Sequence, residues 1–190
     1  VVSDEGDACI CSQYGVWHIV QQNYPVTSKF NTAMKYMQSI GVDAVMIIGS
    51  DDVISTNFYR KTLEQVEKGV DLIGVQNAYF FCGQGLDRGK LVKLEGRNIL
   101  GIGKTVSKRI LDLADWTLWR NDKNWGMDAM AQQEIDKYNP TKVIIDEIIV
   151  DVKTKDNLNS FNVFKRRPQM DNSIFFNILS EEEKEILRTL

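Results

Sequence analysis

Asp43-Ala44-Val45-Met46-Ile47-Ile48-Gly49-Ser50-Asp51-Asp52-Val53-Ile54-Ser55 sets an apolar run directly before two adjacent acids. Residues 45–48 are continuous, apolar and rich in β-branched side chains, between polar and glycine flanks. That combination predicts a short strand buried on both faces. Gly49-Ser50 breaks the run, and Asp51 and Asp52 follow at once. In an open α/β sheet, ligands gather at the carboxyl ends of the strands. Two acids there repel each other and cost desolvation unless a cation sits with them. The simplest partner is a hard divalent ion, Mg²⁺ or Mn²⁺, which takes oxygen ligands and keeps waters and substrate phosphates in its shell. The plainer alternative is that Asp51 and Asp52 open a loop and cap the helix starting near Thr56.

The 190 residues give one domain or somewhat more, with ample material for a core. A formal charge of −3 supplies no global attraction for nucleic acid or an anionic membrane. No apolar run approaches the roughly 20 residues of a membrane-spanning helix, and no signal-peptide pattern is visible. Cys9, Cys11 and Cys82 are an odd set without metal-site spacing, which reads as reduced thiols in a cytoplasmic protein. Val1-Val2 resembles the inside of a strand, so an upstream segment is expected.

Upstream of the central run, residues 1–3 read as a strand tail, 3–7 as an acidic turn, 8–14 as a short helix and 16–20 as the next strand. His18, the only histidine, falls in that strand, where a lone histidine is more often packed than ligating. Asn23-Tyr-Pro-Val-Thr27 is a turn, and Thr27 or Ser28 caps the following helix. Phe30, Ala33, Met34, Met37 and Ile40 share one face of it, and Gly41 ends it.

Downstream, residues 57–68 form a helix with Tyr59, Leu63 and Val66 inward. Residues 72–81 read as one strand, and 91–94 return antiparallel as a hairpin. Helices follow at 104–114 and 127–138, the second with Met127, Met130, Ala131, Ile135 and Tyr138 as its buried stripe. Residues 143–152 read as one long strand and 153–173 as a polar, mobile arm. Ser180 with Glu183 is a capping box for a last helix carrying Ile186, Leu187 and Leu190. This order predicts an α/β sheet, parallel first and mixed later.

Gly101-Ile-Gly-Lys-Thr105 imitates a phosphate-binding P-loop, but the required first glycine falls at Asn98. The loop also follows an antiparallel hairpin rather than the first parallel strand. A weaker expectation survives: if the loop opens a helix, its N–H groups and Lys104 face a phosphate.

Together these residues resemble the GT-A glycosyltransferases, and within them the family-2-like group. The acidic turn Ser3-Asp4-Glu5 comes first, then Asn23-Tyr-Pro with Lys29-Phe-Asn31. The apolar strand ending Gly49-Ser-Asp-Asp52, the Gly-x-Gly-Lys loop and Gly126-Met-Asp128 follow. The match covers residues 1–152, leaving 153–190 as a C-terminal arm and helix. Ser50-Asp51-Asp52 stands where the family carries its Asp-x-Asp metal motif, with Ser50 in place of the first acid. The family normally has one more strand and helix before the position of Val1, so the resemblance implies a GT-A sheet lacking its first strand.

The resemblance implies roles residue by residue. Asp52 would ligate the metal, with Asp51 beside it on the metal or the donor ribose. Asp4, Lys29, Asn31 and Lys104 would contact the donor nucleotide, although the family's Arg-Asn pair reads Phe30-Asn31 here. Asp128 matches the general base of inverting members. Trp119 and Trp125 would stack on an acceptor sugar, with plain packing as the alternative. The chemistry suits these residue types: a divalent ion neutralises a departing nucleotide diphosphate, and a carboxylate accepts the proton of the attacking hydroxyl.

The function expected is therefore metal-dependent transfer of a hexose from a nucleotide-diphosphate sugar to an acceptor hydroxyl. The rivals are a non-catalytic glycan- or partner-binding domain on the same fold, and a nucleotidyltransferase. The last wants a glycine- and lysine-rich loop after the first strand, which the chain does not show. The acceptor is a glycan, a small molecule or a modified DNA base. Some phage relatives glycosylate such bases, but Lys165-Arg-Arg167 alone on an acidic protein reads as a solvated surface.

Overall fold

The computed structural model describes residues 1–155 and 160–189. Its early elements are β1 (Val2–Ser3), α1 (Ala8–Gln13), β2 (Ile19–Val20), α2 (Val26–Ile40), β3 (Ala44–Met46), β4 (Asp52–Ile54) and α3 (Thr56–Glu67). There follow β5 (Leu72–Gly74), β6 (Asn77–Cys82), β7 (Leu91–Glu95), β8 (Thr105–Ser107), α4 (Lys108–Leu113) and α5 (Met127–Asp136). The last are β9 (Lys142–Ile144), β10 (Ile149–Lys153), β11 (Gln169–Met170), α6 (Ser173–Phe176) and α7 (Glu181–Thr189). Mixed sheets flanked by helices make the chain α/β. It divides into two units, Val1–Val45 with Val70–Leu72 and Val106–Thr141, and Met46–Gly69 with Ile73–Thr105 and Lys142–Leu190.

In the first unit, β1 and β2 pair in parallel. Lys108 N–H donates to the Asp43 carbonyl (2.7 Å), Ser107 N–H to that of Asp71 (2.9 Å) and Leu72 N–H to that of Thr141 (2.9 Å). The four-stranded sheet has the order β3–β8–β5–β9. The run read as a central, doubly buried strand thus lies at a sheet edge. With a neighbour on one side only, Ala44 to Ile47 are half-buried and Ile48 is exposed.

The start of α2 is satisfied from a distance rather than by a Thr27 or Ser28 cap. Val26 N–H donates to Asn124 Oδ1 (2.8 Å), and Thr27 donates to the Lys123 carbonyl through both N–H (3.1 Å) and Oγ1 (2.8 Å). Those acceptors take up donors that a helix start leaves orphaned. Met34 is buried as expected, whereas Ile40 is exposed beside Gly41, whose left-handed backbone (φ 72°) ends the helix. Ala131 and Ile135 bury the face of α5, and Met127, Met130 and Tyr138 are half-buried.

Asp71 is a buried polar hub of this unit. Arg109 donates to it through Nε (2.8 Å) and Nη2 (2.7 Å), Ser107 through Oγ (3.0 Å), and Thr141 through N–H (2.9 Å) and Oγ1 (2.8 Å). The Arg109 guanidinium, against a desolvation cost and helped by Thr141 and Ser107, holds the carboxyl well below the usual range.

In the second unit, five strands run in the order β11–β7–β6–β10–β4. β6 and β10 are parallel and the other pairs antiparallel, the expected β6–β7 hairpin among them. The stretches 72–81 and 143–152, each read as one strand, are each divided between two sheets. The polar pairs Gln76-Asn77 and Asp146-Glu147 mark the breaks. One sheet face carries Ala78, Phe80, Cys82 and Val92 under Phe161, and Phe164 stacks on Phe80 at 3.9 Å. The other carries Phe81, Leu91, Val150 and Val152 against Phe175 and Leu179.

The expected arm at 153–173 includes the end of β10, the buried Phe161 and the strand β11; its residues 156–159 lie outside the described residues. Ser55 Oγ caps α3 through Phe58 N–H (3.1 Å). Its inward face is Phe58 and Thr62, while Tyr59 and Leu63, read as inward, are 50% and 44% exposed. The inward stripe therefore sits one position earlier than the periodicity suggested. The capping box holds: Ser180 N–H donates to Glu183 Oε2 (2.7 Å), and Glu183 N–H to Ser180 Oγ (3.2 Å). The expected packing of Ile186 and Leu190 lies outside the described residues. Among the described residues, no helix is long and apolar enough to cross a membrane.

Candidate metal centre

Asp52 opens β4 directly opposite Asp151 of β10. Directly opposed residues project to the same sheet face. Asp51, one residue earlier, accepts a backbone bond from Val152 N–H at 2.7 Å. One carboxylate oxygen from each of Asp51, Asp52 and Asp151 lies within 4.8 Å of the others. Gly49 makes room for them. Its N–H donates to Asp52 Oδ2 (2.6 Å), and a Cβ there would lie 2.9 Å from Asp51 Oδ1 and 3.1 Å from Asp52 Oδ2.

Lys153 follows Asp151 on the same face of β10. Its Nζ is 2.6 Å from Asp151 Oδ2 and 3.2 Å from Asp51 Oδ2, and its side chain is 6% exposed. The ammonium also lies 5.7 Å from the centre of the Phe80 ring. Asp151 Oδ1 is buried and accepts no hydrogen bond. Burial pushes the Asp151 carboxyl up to about 7; the Lys153 hydrogen bond opposes that rise, and the charges of Asp51 and Asp52 add to it.

The residues fit a hard divalent ion. All three acids offer oxygen donors, and the buried Asp151 Oδ1 accepts no hydrogen bond. Asp51 and Asp52 are legible in the sequence as a pair of adjacent acids. Asp151 and Lys153 were not singled out. Their signal is the alternation Val150-Asp151-Val152-Lys153, which sends both polar side chains to one face of a strand.

In the first unit, the structure joins Asp4 and Lys29 through Asn23. Asn23 Nδ2 donates to Asp4 Oδ2 (2.6 Å), and Lys29 Nζ donates to Asn23 Oδ1 (3.0 Å). The other Asp4 oxygen accepts from Gly6 N–H (3.1 Å). His18 shares a 2.9 Å hydrogen bond with Ser3 Oγ. Asn31 is buried, and its Nδ2 donates to the Trp119 carbonyl and to Asn121 Oδ1, both at 2.7 Å. That places it in the scaffold rather than on a surface open to a nucleotide.

Trp119 packs likewise: it is 6% exposed, lies 5.3 Å from the Phe30 ring and donates Nε1–H to the Met127 carbonyl (3.0 Å). Trp125 is 74% exposed. Asp128 is exposed in the first turn of α5, where the helix dipole favours a carboxylate. Lys104 is buried, and the segment after it is the strand β8, not a helix, so the phosphate-facing helix start expected there is absent. Gly103 has a packing role instead. At φ 68° it lies so close to Phe58 and Ile149 that a Cβ would meet them at 2.9 and 2.8 Å.

No protein-family model matches this chain, and no curated protein matches it. Among solved structures, the crystal structure of A197 from STIV is similar over 74% of this chain and 71% of that one, with 9% identity and a TM-score of 0.41. At that level of likeness neither fold family nor function transfers.

Proposed function

We propose that this chain is a metal-dependent glycosyltransferase of GT-A type, moving a sugar from a nucleotide-diphosphate sugar to an acceptor hydroxyl with inversion. The observation that supports the reading is that one carboxylate oxygen from each of Asp51, Asp52 and Asp151 lies within 4.8 Å of the others. A divalent ion, Mn²⁺ or Mg²⁺, supplies charge neutralisation for a departing diphosphate. Asp52 and Asp151 would hold it, with Asp51 on the ion or the donor ribose. Asp4 and Lys29, already linked through Asn23, offer an acceptor and a donor to the nucleoside. Asp128 takes the proton of the acceptor hydroxyl, a role worth roughly 10²–10⁴ in rate. Trp125 offers an exposed aromatic face to the acceptor.

One observation favours a second reading, a non-catalytic binding domain: Lys153 already balances part of the cluster's charge. Thermal unfolding with a panel of nucleotide diphosphates, with and without Mn²⁺, separates the two. A ligand that binds the folded state stabilises it by mass action. Stabilisation by one nucleotide that depends on Mn²⁺ supports the transferase; indifference to every nucleotide contradicts it.

A further inference from the structure

We propose that a groove in the first unit, between the turn after α4 and the helix α5, binds a neutral mono- or disaccharide. The inference uses none of the acids of the metal centre and does not depend on the transferase reading. The groove has a volume of about 520 Å³, within the roughly 300–1,000 Å³ of small-ligand clefts. Leu118 and Trp119, nearly buried, and Met130, half-buried, supply its apolar lining. Met130, Gln133, Glu134 and Lys137 keep the three-and-four spacing of one helix face. Thr117 and Arg120 face them from the turn. In that turn Asp115 and Trp116 both have left-handed backbone, φ 47° and 52°, which costs a residue that carries a Cβ. The turn is held because Trp116 is buried and donates Nε1–H to Asp112 Oδ1 (2.8 Å). Costly backbone fixed by its surroundings clusters at ligand sites.

Both cations of the groove are already paired. Lys137 Nζ bonds Glu134 Oε2, and Arg120 Nη2 lies 3.2 Å from Asp122 Oδ2. Glu134 Oε1 accepts from the Tyr138 hydroxyl (3.1 Å). An ionic ligand has to compete with a partner in place, for the small gain that exposed ion pairs give. A wholly apolar ligand desolvates the polar side chains without pairing them. A hydroxyl displaces nothing. An ammonium and a guanidinium keep N–H groups to donate after one ion pair, and the exposed Gln133 brings an amide that donates and accepts. A pyranose matches this lining: its C–H face is apolar, and each hydroxyl on its edge is both donor and acceptor.

The test is a titration of the ¹⁵N-labelled intact chain with D-glucose, D-galactose, maltose and cellobiose, followed by amide and indole chemical shifts. D-glucosamine and D-glucuronate serve as charged versions of the same ring. The proposal expects at least one neutral sugar to give saturable shifts in residues 114–120 and 130–137, with a dissociation constant on the order of 1–10 mM. Neither charged sugar binds tighter than glucose. Gln133→Ala and Arg120→Ala, both at exposed positions and checked by circular dichroism, each weaken binding about fivefold. No shift in those residues with any neutral sugar overturns the proposal. So does unchanged affinity in both variants, or a charged sugar that binds more than about tenfold tighter than every neutral one. None of these results bears on the metal centre, whose Mn²⁺-dependent readout is separate.

Discussion

Asp52 and Asp151 stand directly opposite each other across the β4–β10 ladder. Like charges at opposed positions destabilise a sheet by a few tenths to about 1 kcal/mol. Desolvation adds to the cost at Asp151, whose carboxyl is pushed up to about 7. Lys153 offsets part of that cost through its ion pairs with Asp51 and Asp151.

Asp52→Asn separates stability from metal binding. It removes one of the opposed charges and keeps an amide oxygen for the Gly49 N–H, so the stability of the metal-free protein changes by less than about 1 kcal/mol. At the same time Mn²⁺-dependent nucleotide-sugar hydrolysis or transfer falls about 10²-fold, because a ligand is lost. Chemical denaturation and a coupled nucleotide-release assay measure the two halves. Undiminished activity removes Asp52 from the metal.

Asp128→Asn should leave nucleotide-induced stabilisation intact and lower transfer roughly 10²–10⁴-fold. The split between a thermal-shift readout and a transfer readout distinguishes a base from a residue that binds the donor. Equal transfer by the variant leaves Asp128 as a helix-start acid and nothing more.

The Asp71 hub predicts acid sensitivity. Its folded-state pKa is lowered, chiefly by Arg109. The stabilisation is therefore fully present above the unfolded value of about 4 and is lost as pH falls through the folded one. Asp71→Asn, which weakens the hydrogen bonds that Arg109, Ser107 and Thr141 donate to this buried carboxylate, should cost about 1–3 kcal/mol near neutrality. It should also flatten the decline in stability below about pH 4. Urea denaturation at a series of pH values reads both; a slope unchanged by the substitution contradicts the assignment.

Gly103→Ala tests whether the glycine–lysine loop is scaffold. A Cβ there meets Ile149 Cδ1 at 2.8 Å and the Phe58 ring at 2.9 Å, on a backbone at φ 68°. The expected cost is about 2–4 kcal/mol of stability, with nucleotide affinity unchanged below the lowered melting point. A variant that melts normally but loses nucleotide affinity would return the loop to phosphate binding.

Local signals were the legible part of this chain. The Ser180–Glu183 box, the Gly41 helix stop and the adjacent acids after residues 45–48 each follow from side chains close in sequence. What pairing decides was hidden. Asp151 lies within a stretch that reads as one β-branched strand, and only its register places it against Asp52; Lys153 reads as the first residue of an arm. Periodicity misplaced α3 because Tyr59 and Leu63 keep helical spacing as well as Phe58 and Thr62 do. The continuous apolar run at 45–48 suggested a central strand because composition does not reveal which neighbour is missing. The donor contacts divided for the same reason: Asp4 and Lys29 meet through Asn23, while Asn31, two residues on and facing another way, is spent holding residues 119 and 121.

The central claim is that Asp51, Asp52 and Asp151 together hold one divalent cation, and calorimetric titration of Mn²⁺ into wild type and Asp151→Asn at about pH 8 tests it most directly. The account predicts saturable one-to-one binding by wild type and at least about a tenfold loss in the variant. Identical isotherms for the two proteins, or heat no greater than dilution in both, would contradict it.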